Sequence, residues 1–295
     1  MTGFICLDKP EGMTSFTAAN LVRKITGAKK SGHTGTLDPM ATGVLPVALS
    51  GSTRFIELIP IHDKAYEARV RLGITTDTLD ITGEITGEFP VCADEITIKK
   101  TVAAFLGESM QTPPMYSAKS QGGVRLYALA RQGVEVKREP QQINIYKIEA
   151  FDFCGNEFTL SVECSAGTYI RSLADDIGKK LGCGAVLTSL RRTNANGFLL
   201  SDCVTLEELR KLSENDNVSS ILKSTDKVLN YYPAITVTEP QGKRFRNGGE
   251  LFLNRIGSPK TGLYRIYSPQ NDFLGMGEVK PDCDFLTIKK VFTGD

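Results

Sequence analysis

The sequence predicts an α+β protein in two parts: helices and strands mixed up to residue 230, then a small all-β unit over 231–295. Three observations carry this. KAYEARVRLG sets Tyr66, Ala68, Val70 and Leu72 against Glu67, Arg69 and Arg71, the period-two signature of a half-buried strand. SAGTYIRSLADDIGKKLG spaces Ile170, Leu173, Ala174, Ile177 and Leu181 along one helical face. After about Asn230 the texture becomes short β-like runs between turn residues: ITVTEP, FRNGGELFL, LYRIYS, FLGMGEV and FLTIKKVF. A length of 295 residues suits two domains.

Taken in order, GFICLDKPEGMTS reads as a strand and a turn, with Ser15 a candidate N-cap for a helix to about Thr26 and Gly27 its stop. ITIKKTVAAFLG reads as a helix ended by Gly107. Residues 111–140, rich in Pro, Gly and Arg, read as an insertion on the main body, a loop with a short helix around Leu126–Arg131. Residues 143–153 and 157–164 form a hairpin about Gly155-Asn156. A helix beginning near Thr168 ends at Gly182, and Thr205 with Glu208 has the spacing of a capping box.

Composition narrows the function. Hydrophobic residues at 41% and charged residues at 23% fit an ordinary globular protein. FICL is interrupted at once by Asp8 and Lys9, so neither a secretory leader nor a membrane anchor is expected. Seven cysteines without a CxxC pair argue against a zinc site or a disulfide framework and for a reducing cytoplasm. His33 and His62 are the only histidines, too few for a His-rich metal site and for most His-based triads. The net charge of +1 hides blocks: residues 110–140 and 164–192 each hold five basic against two acidic residues, and acidic stretches separate them. Such blocks suit a basic groove on a neutral protein, and equally a scatter of solvated charge.

The chemistry concentrates in SGHTGTLDPMATGVLP, residues 31–46. Pro39 biases Asp38 away from the α region. Asp-Pro also begins many helices, so a capping role for Asp38 stays open. Gly32, Gly35 and Gly43 carry an entropic cost that is offset where the backbone turns tightly or approaches a ligand. No GxxxxGK[ST] occurs, so this is not a P-loop. A carboxylate that attacks from a partly dry pocket needs a cation beside it, because burial disfavours the charged form. Arg171 lies in the first turn of its helix, where the macrodipole disfavours positive charge by roughly 0.3–1 kcal/mol. A carboxylate there, which a guanidinium could grip in bidentate fashion, accounts for it; a solvated arginine is the other reading. Tyr66 and Tyr169 are core aromatics or stacking faces, and His33 is a loop histidine or a substrate contact. Together these residues call for no metal and no organic cofactor, and suit covalent attack on a base withdrawn from its stack.

With these residues in view, the chain resembles the TruB family of tRNA pseudouridine synthases, the tRNA pseudouridine-55 synthases of bacteria. DKPEGMTS (8–15), GHTGTLDPMATGVLP (32–46), KAYEARVRLGITTDTLD (64–80), QTPPMYSAKSQGGVRLYALARQGVEV (111–136) and GTYIRSLADDIGKKLGCGAVLTSLRR (167–192) are similar to family motifs over nearly the whole length. RFRNGGEL resembles part of a PUA-type RNA-binding domain. The resemblance implies a pseudouridine synthase catalytic domain over 1–230 with a central, mostly antiparallel sheet. It also implies an RNA-gripping insertion at about 111–140 and a PUA-like domain over 231–295.

It further implies that Asp38 is the nucleophile and Arg171 its salt-bridge partner. His33 would contact the tRNA or support the flipped nucleotide, Tyr66 would stack on the target base, and Tyr169 would lie beside it as a candidate for proton handling. Leu190 would line the uracil pocket, while Lys9 and Pro10 would brace the catalytic loop. The implied reaction is isomerisation of uridine-55 in the T loop of tRNA. The expected partner is the tRNA T stem-loop, bound by a cytoplasmic monomer without membrane, metal or cofactor. A non-catalytic RNA-binding or tRNA-folding protein on the same scaffold is the alternative; it does not need Asp38, Tyr169 and Arg171 together. A glycosidase needs a second acid near Asp38; residues 31–46 offer none, and one distant in sequence would be required.

Overall fold

GFICLDK is almost wholly apolar, and β1 (Gly3–Lys9) is buried along nearly its full length. The computed structural model describes residues 1–117, 120–121, 124–125, 130, 134 and 136–294. After β1 come α1 (Ser15–Ile25), β2 (Ser31–His33), β3 (Thr42–Leu49) and, beyond a 3-10 stretch over Ser50–Leu58, β4 (Lys64–Leu72). A side hairpin of β5 (Ile74–Thr76) and β6 (Ile85–Glu88) leads to α2 (Glu95–Ala103) and β7 (Gly107–Gln111). Strands β8 (Ser120–Gln121) and β9 (Val124–Arg125) pair with each other. β10 (Gln141–Cys154) and β11 (Glu157–Cys164) form the long hairpin, and α3 (Ile170–Leu181) feeds β12 (Ala185–Ala195). β13 (Phe198–Leu199), β14 (Cys203–Val204), α4 (Leu206–Glu214) and α5 (Thr225–Val228) follow.

The main sheet runs β14-β1-β3-β12-β4-β11-β10-β7, with β2 joined to β3 and β13 to β12. Its pairings are antiparallel except β1 with β14 and β3 with β12, so the expected mostly antiparallel sheet is present. Register draws one line across it: Lys9 opposes Gly43, Gly43 opposes Arg192, Arg192 opposes Tyr66, and Tyr66 opposes Val162. Residues from distant stretches of sequence thus meet at one level of the sheet. Gly43 is required there. Its φ is +99°, and a Cβ would stand 2.2 Å from the Arg192 carbonyl oxygen.

Alternation along β1 and β3 divides the core between two faces. Ile5, Leu7, Leu45 and Val47 join Ala18 and Val22 of α1, Val102 of α2 and Ile177 of α3. Phe4, Cys6, Val44 and Ala48 join Phe55, Phe198 and Met276 on the other face. Met276 belongs to a second sheet, ordered β15-β17-β18-β19-β16. Its strands are β15 (Ala234–Thr236), β16 (Leu251–Phe252), β17 (Gly262–Tyr267), β18 (Phe273–Val279) and β19 (Phe285–Val291).

Several boundaries differ from the sequence reading. Thr14, not Ser15, caps α1, its hydroxyl accepting from Thr17 N at 3.1 Å. The helix expected to reach Gly107 stops at Ala103, and Gly107 opens β7 instead. Within the C-terminal runs, Thr238 and Gln241 form a capping box that starts α6 (Glu239–Arg246), so Phe245-Arg246 is helical and not β-like. The short helix expected around Leu126–Arg131 falls almost wholly outside the described residues.

Candidate active site

The loop between β2 and β3 is fixed by its backbone, which frees one side chain for chemistry. Asp38 does not cap a helix; its carbonyl accepts from Ala41 N at 3.0 Å in a tight turn. Ser15, turned inward from the start of α1, accepts from Leu37 N at 2.7 Å and donates to Leu37 O at 3.1 Å. Arg192, fully buried, donates through Nη2 to Gly35 O at 3.1 Å and through Nε to Val44 O at 2.7 Å. Lys9, equally buried, donates from Nζ to Pro10 O at 2.8 Å, Met13 O at 2.7 Å and Pro39 O at 3.3 Å. Gly12 N also donates to Pro39 O at 2.8 Å. Burial brings the Lys9 ammonium down to about 8, against the opposing pull of the Asp38 charge.

What remains exposed is the Asp38 carboxylate, with 34% of its side chain open to solvent. Arg171 Nε stands 2.9 Å from Asp38 Oδ2. The grip is not bidentate, because the other guanidinium nitrogens are committed elsewhere. Nη1 donates to Thr78 O at 2.8 Å and lies 3.6 Å from Asp80 Oδ2, while Nη2 donates to Tyr116 O at 2.7 Å. The Asp80 carboxylate is locked in turn by Thr78 Oγ1 at 2.9 Å, by Thr82 N at 3.0 Å and by the Thr82 hydroxyl. Arg171 is therefore oriented by one buried acid and presents its Nε edge to the half-exposed one.

A cleft of about 420 Å³ opens over Asp38, walled by Lys64, Tyr66, Tyr169, Arg171 and Leu190 among others. Tyr66 is buried, which raises its phenol pKa, and its hydroxyl meets Arg192. Tyr169 is the N-cap position of α3 and its backbone is held by the buried Gln111. Tyr169 N donates to Gln111 Oε1 at 2.8 Å, and Gln111 Nε2 donates back to Tyr169 O at 3.0 Å. The arrangement offers a partly exposed carboxylate beside a cation, in a cleft also lined by two tyrosines and a leucine. That set is suited to nucleophilic attack on a flat heterocycle.

Of the residues singled out from sequence, Asp38, Arg171, Tyr66, Tyr169 and Leu190 share this cleft, while Lys9 and the Pro10 carbonyl lie behind its floor. His33 stands apart on β2, outside the lining residues. Its Nδ1 is buried without a hydrogen-bond partner among the described residues, and burial together with Arg192 lowers its pKa. Sequence reasoning passes over Asp80, Arg192, Gln111, the inward role of Ser15, and Lys64. Asp80 has a signal: Thr78-x-Asp80-x-Thr82 is the spacing of a side-chain-closed turn. Gln111 and Arg192 act across 58 and 157 positions of chain, and nothing local marks them.

In this cleft a mixed sheet and its loop present one aspartate to a tyrosine-walled pocket. A TruB family pseudouridylate synthase N-terminal domain matches residues 23–170. A tRNA pseudouridylate synthase B C-terminal domain matches 171–230, and a pseudouridine synthase II TruB C-terminal model matches 233–283. A tRNA pseudouridine synthase B of Pseudomonas fluorescens is 42% identical over 285 residues, covering 96% of this chain and 93% of its own. One of Clostridium perfringens is 44% identical over 285 residues, covering 94% and 95%. A solved Cbf5–Nop10–Gar1 complex contains a chain that superposes with a TM-score of 0.74 at 27% identity, covering 99% of this chain and 85% of that one. This chain belongs to the TruB family of pseudouridylate synthases.

Proposed function

We propose that this chain isomerises uridine-55 in the T loop of tRNA to pseudouridine, with Asp38 as the nucleophile. The observation that carries the reading is the Asp38 carboxylate, 2.9 Å from Arg171 Nε and facing a cleft walled by Tyr66 and Tyr169. Relatives more than 40% identical along nearly their whole length carry the name tRNA pseudouridine synthase B. In this reading the target nucleotide is everted, at a cost of a few kcal/mol that is smaller in a loop than in a duplex. Tyr66 stacks on the uracil, Leu190 packs against it and Tyr169 lies beside it for proton handling. His33 supports the RNA left behind, and Lys9 and Pro10 hold the loop.

The carboxylate adds to C6 of the ring or attacks C1′ of the ribose. The C1′–N1 bond breaks, the uracil turns over, a C1′–C5 bond forms, the bond to the Asp38 carboxylate is released and the C5 proton leaves. N1 takes up a proton in exchange, so no atom is gained or lost overall. Arg171 fixes the attacking oxygen throughout. In this reading residues 1–230 carry the chemistry, with an RNA-gripping insertion at about 111–140. Residues 231–295 form a PUA-like RNA-binding domain, and a monomer acts on the T stem-loop in the cytoplasm.

Incubation with unmodified tRNA transcript, followed by mapping of pseudouridine, tests the reading. Product is expected at position 55 alone. Asp38→Asn is expected to abolish tritium release from C5-labelled transcript while keeping tRNA binding within a few-fold. Normal turnover by that variant ends the nucleophile assignment.

A further inference from the structure

Among the described residues, one cation in the cleft is left without a counter-charge. Lys64 opens β4 two positions before Tyr66, so both side chains leave the same face of the strand, and both line the cleft over Asp38. Lys64 is half-buried, yet no acid or carbonyl engages its ammonium among the described residues. A Cβ placed on Gly35 would stand 3.7 Å from Lys64 Nζ and 3.6 Å from Arg192 Nη1, so the two cations flank the same glycine of the catalytic loop. Arg192 directs its nitrogens to carbonyl oxygens, which neutralise nothing. Across the strand pair Lys64 faces Cys164, whose thiol burial pushes up to about 11, leaving it uncharged at neutral pH. Burial and Arg192 together lower the Lys64 pKa.

Two cations held close in a half-dry corner, with no acid between them among the described residues, repel, and an anion brought by a ligand relieves the cost. The ion pair that Asp38 makes among the described residues is with Arg171, at 2.9 Å. The proposed substrate carries one negative charge at every linkage.

We propose that Lys64, with Arg192 behind it, binds a non-bridging oxygen of the phosphate next to the everted nucleotide, pinning the sugar-phosphate backbone while Tyr66 holds the base. The contact rests on the RNA substrate assigned above, and deepens it. Lys64 is then a positioning residue for the nucleotide: its ammonium reads the backbone and Tyr66 the ring. The spacing of two along β4 fixes the separation of the two contacts.

A thermodynamic cycle tests it, with binding measured apart from turnover. Stem-loop RNAs are prepared with a single neutral methylphosphonate at the linkage 5′ or 3′ of the target uridine, and titrated against Asp38→Asn protein with and without Lys64→Met. For the unaltered lysine, one of the two substitutions is expected to weaken binding about 5- to 30-fold; with Lys64→Met it is expected to change binding less than about twofold. Lys64→Met should also lower the slope of log K against log salt by about 0.7–0.9, as for one lost phosphate contact, and Lys64→Arg should restore it. Additive penalties at both linkages, or an unchanged salt slope with unaltered melting temperature, overturn the proposal. If the wild-type chain forms no pseudouridine while the coupling persists, the functional reading fails and the phosphate site stands. Pseudouridine formation together with additive penalties does the reverse, keeping the enzyme and removing the phosphate site.

Discussion

In the proposed reaction Asp38 is suited to attack because its neighbours are tied down while its carboxylate stays one-third open to the cleft. Arg171 commits three nitrogens to four groups, so the guanidinium cannot swing toward solvent and the carboxylate meets a fixed charge. Lys9 plays the corresponding part for the backbone. Its three carbonyl acceptors tie Pro39 to the turn after β1, and its buried ammonium releases a proton near 8 in the folded chain against 10.5 for an ordinary lysine. Between those values the unfolded chain holds a proton that the folded chain has lost, so this group makes folding more favourable as pH rises from about 8 to 10.5. Lys9→Met removes both the carbonyl bonds and the titration. In urea melts the variant is expected to be less stable at every pH. The gap from wild type should widen between pH 8 and 10.5, and a gap that narrows across that window refutes the assignment.

At the scale of elements, the site exists because β3 and β12 run parallel and close. Gly43 lies under the Arg192 backbone, and the Arg192 side chain then reaches the loop it must hold. Gly43→Ala places a methyl group 2.2 Å from a carbonyl at a φ of +99°. A loss of at least about 2 kcal/mol in stability is expected, with kcat falling more steeply than tRNA affinity because the loop shifts against Asp38. Wild-type melting and turnover in that variant count against the close approach. Much of this level is legible in sequence. The strand at Lys64–Leu72, the hairpin at Gly155 and the helix closed by Gly182 all follow from local periodicity and turn residues. Ser15 is not, because a hydroxyl at a helix start looks like a cap whichever way it points, and only the fold reveals Leu37 above it. Asp38, Tyr66, Tyr169 and Arg171 are legible as candidates through a family resemblance. Their meeting in one cleft brings together the β2–β3 loop, β4 and the start of α3, which no single segment encodes.

For the molecule as a whole, the question is whether the second sheet rides freely or is built onto the first. Phe55, fully buried in the 3-10 stretch after β3, has its ring centroid 5.9 Å from both Phe273 and Phe292, which lie 5.3 Å from each other. Lys290 Nζ adds a contact to Glu57 Oε1 at 2.8 Å, on an exposed rim where an ion pair contributes little. The aromatic trio shares the junction with Met276 and covers the apolar face of β1 and β3 formed by Phe4, Cys6, Val44 and Ala48. Deleting the Phe55 ring should cost roughly 3–5 kcal/mol through lost burial and the cavity left behind. The same deletion cuts the coupling that lets both sheets unfold together. Phe55→Ala is thus expected to convert one calorimetric transition into two. The loss in tRNA affinity should exceed the loss in kcat, because Asp38, Arg171 and Tyr66 all belong to the first sheet and its flanking loops and helices. Glu57→Gln, which removes only the rim charge, should leave a single transition. If Phe55→Ala still melts as one unit with unchanged affinity, the junction is held by other contacts and the sheets are coupled without the ring.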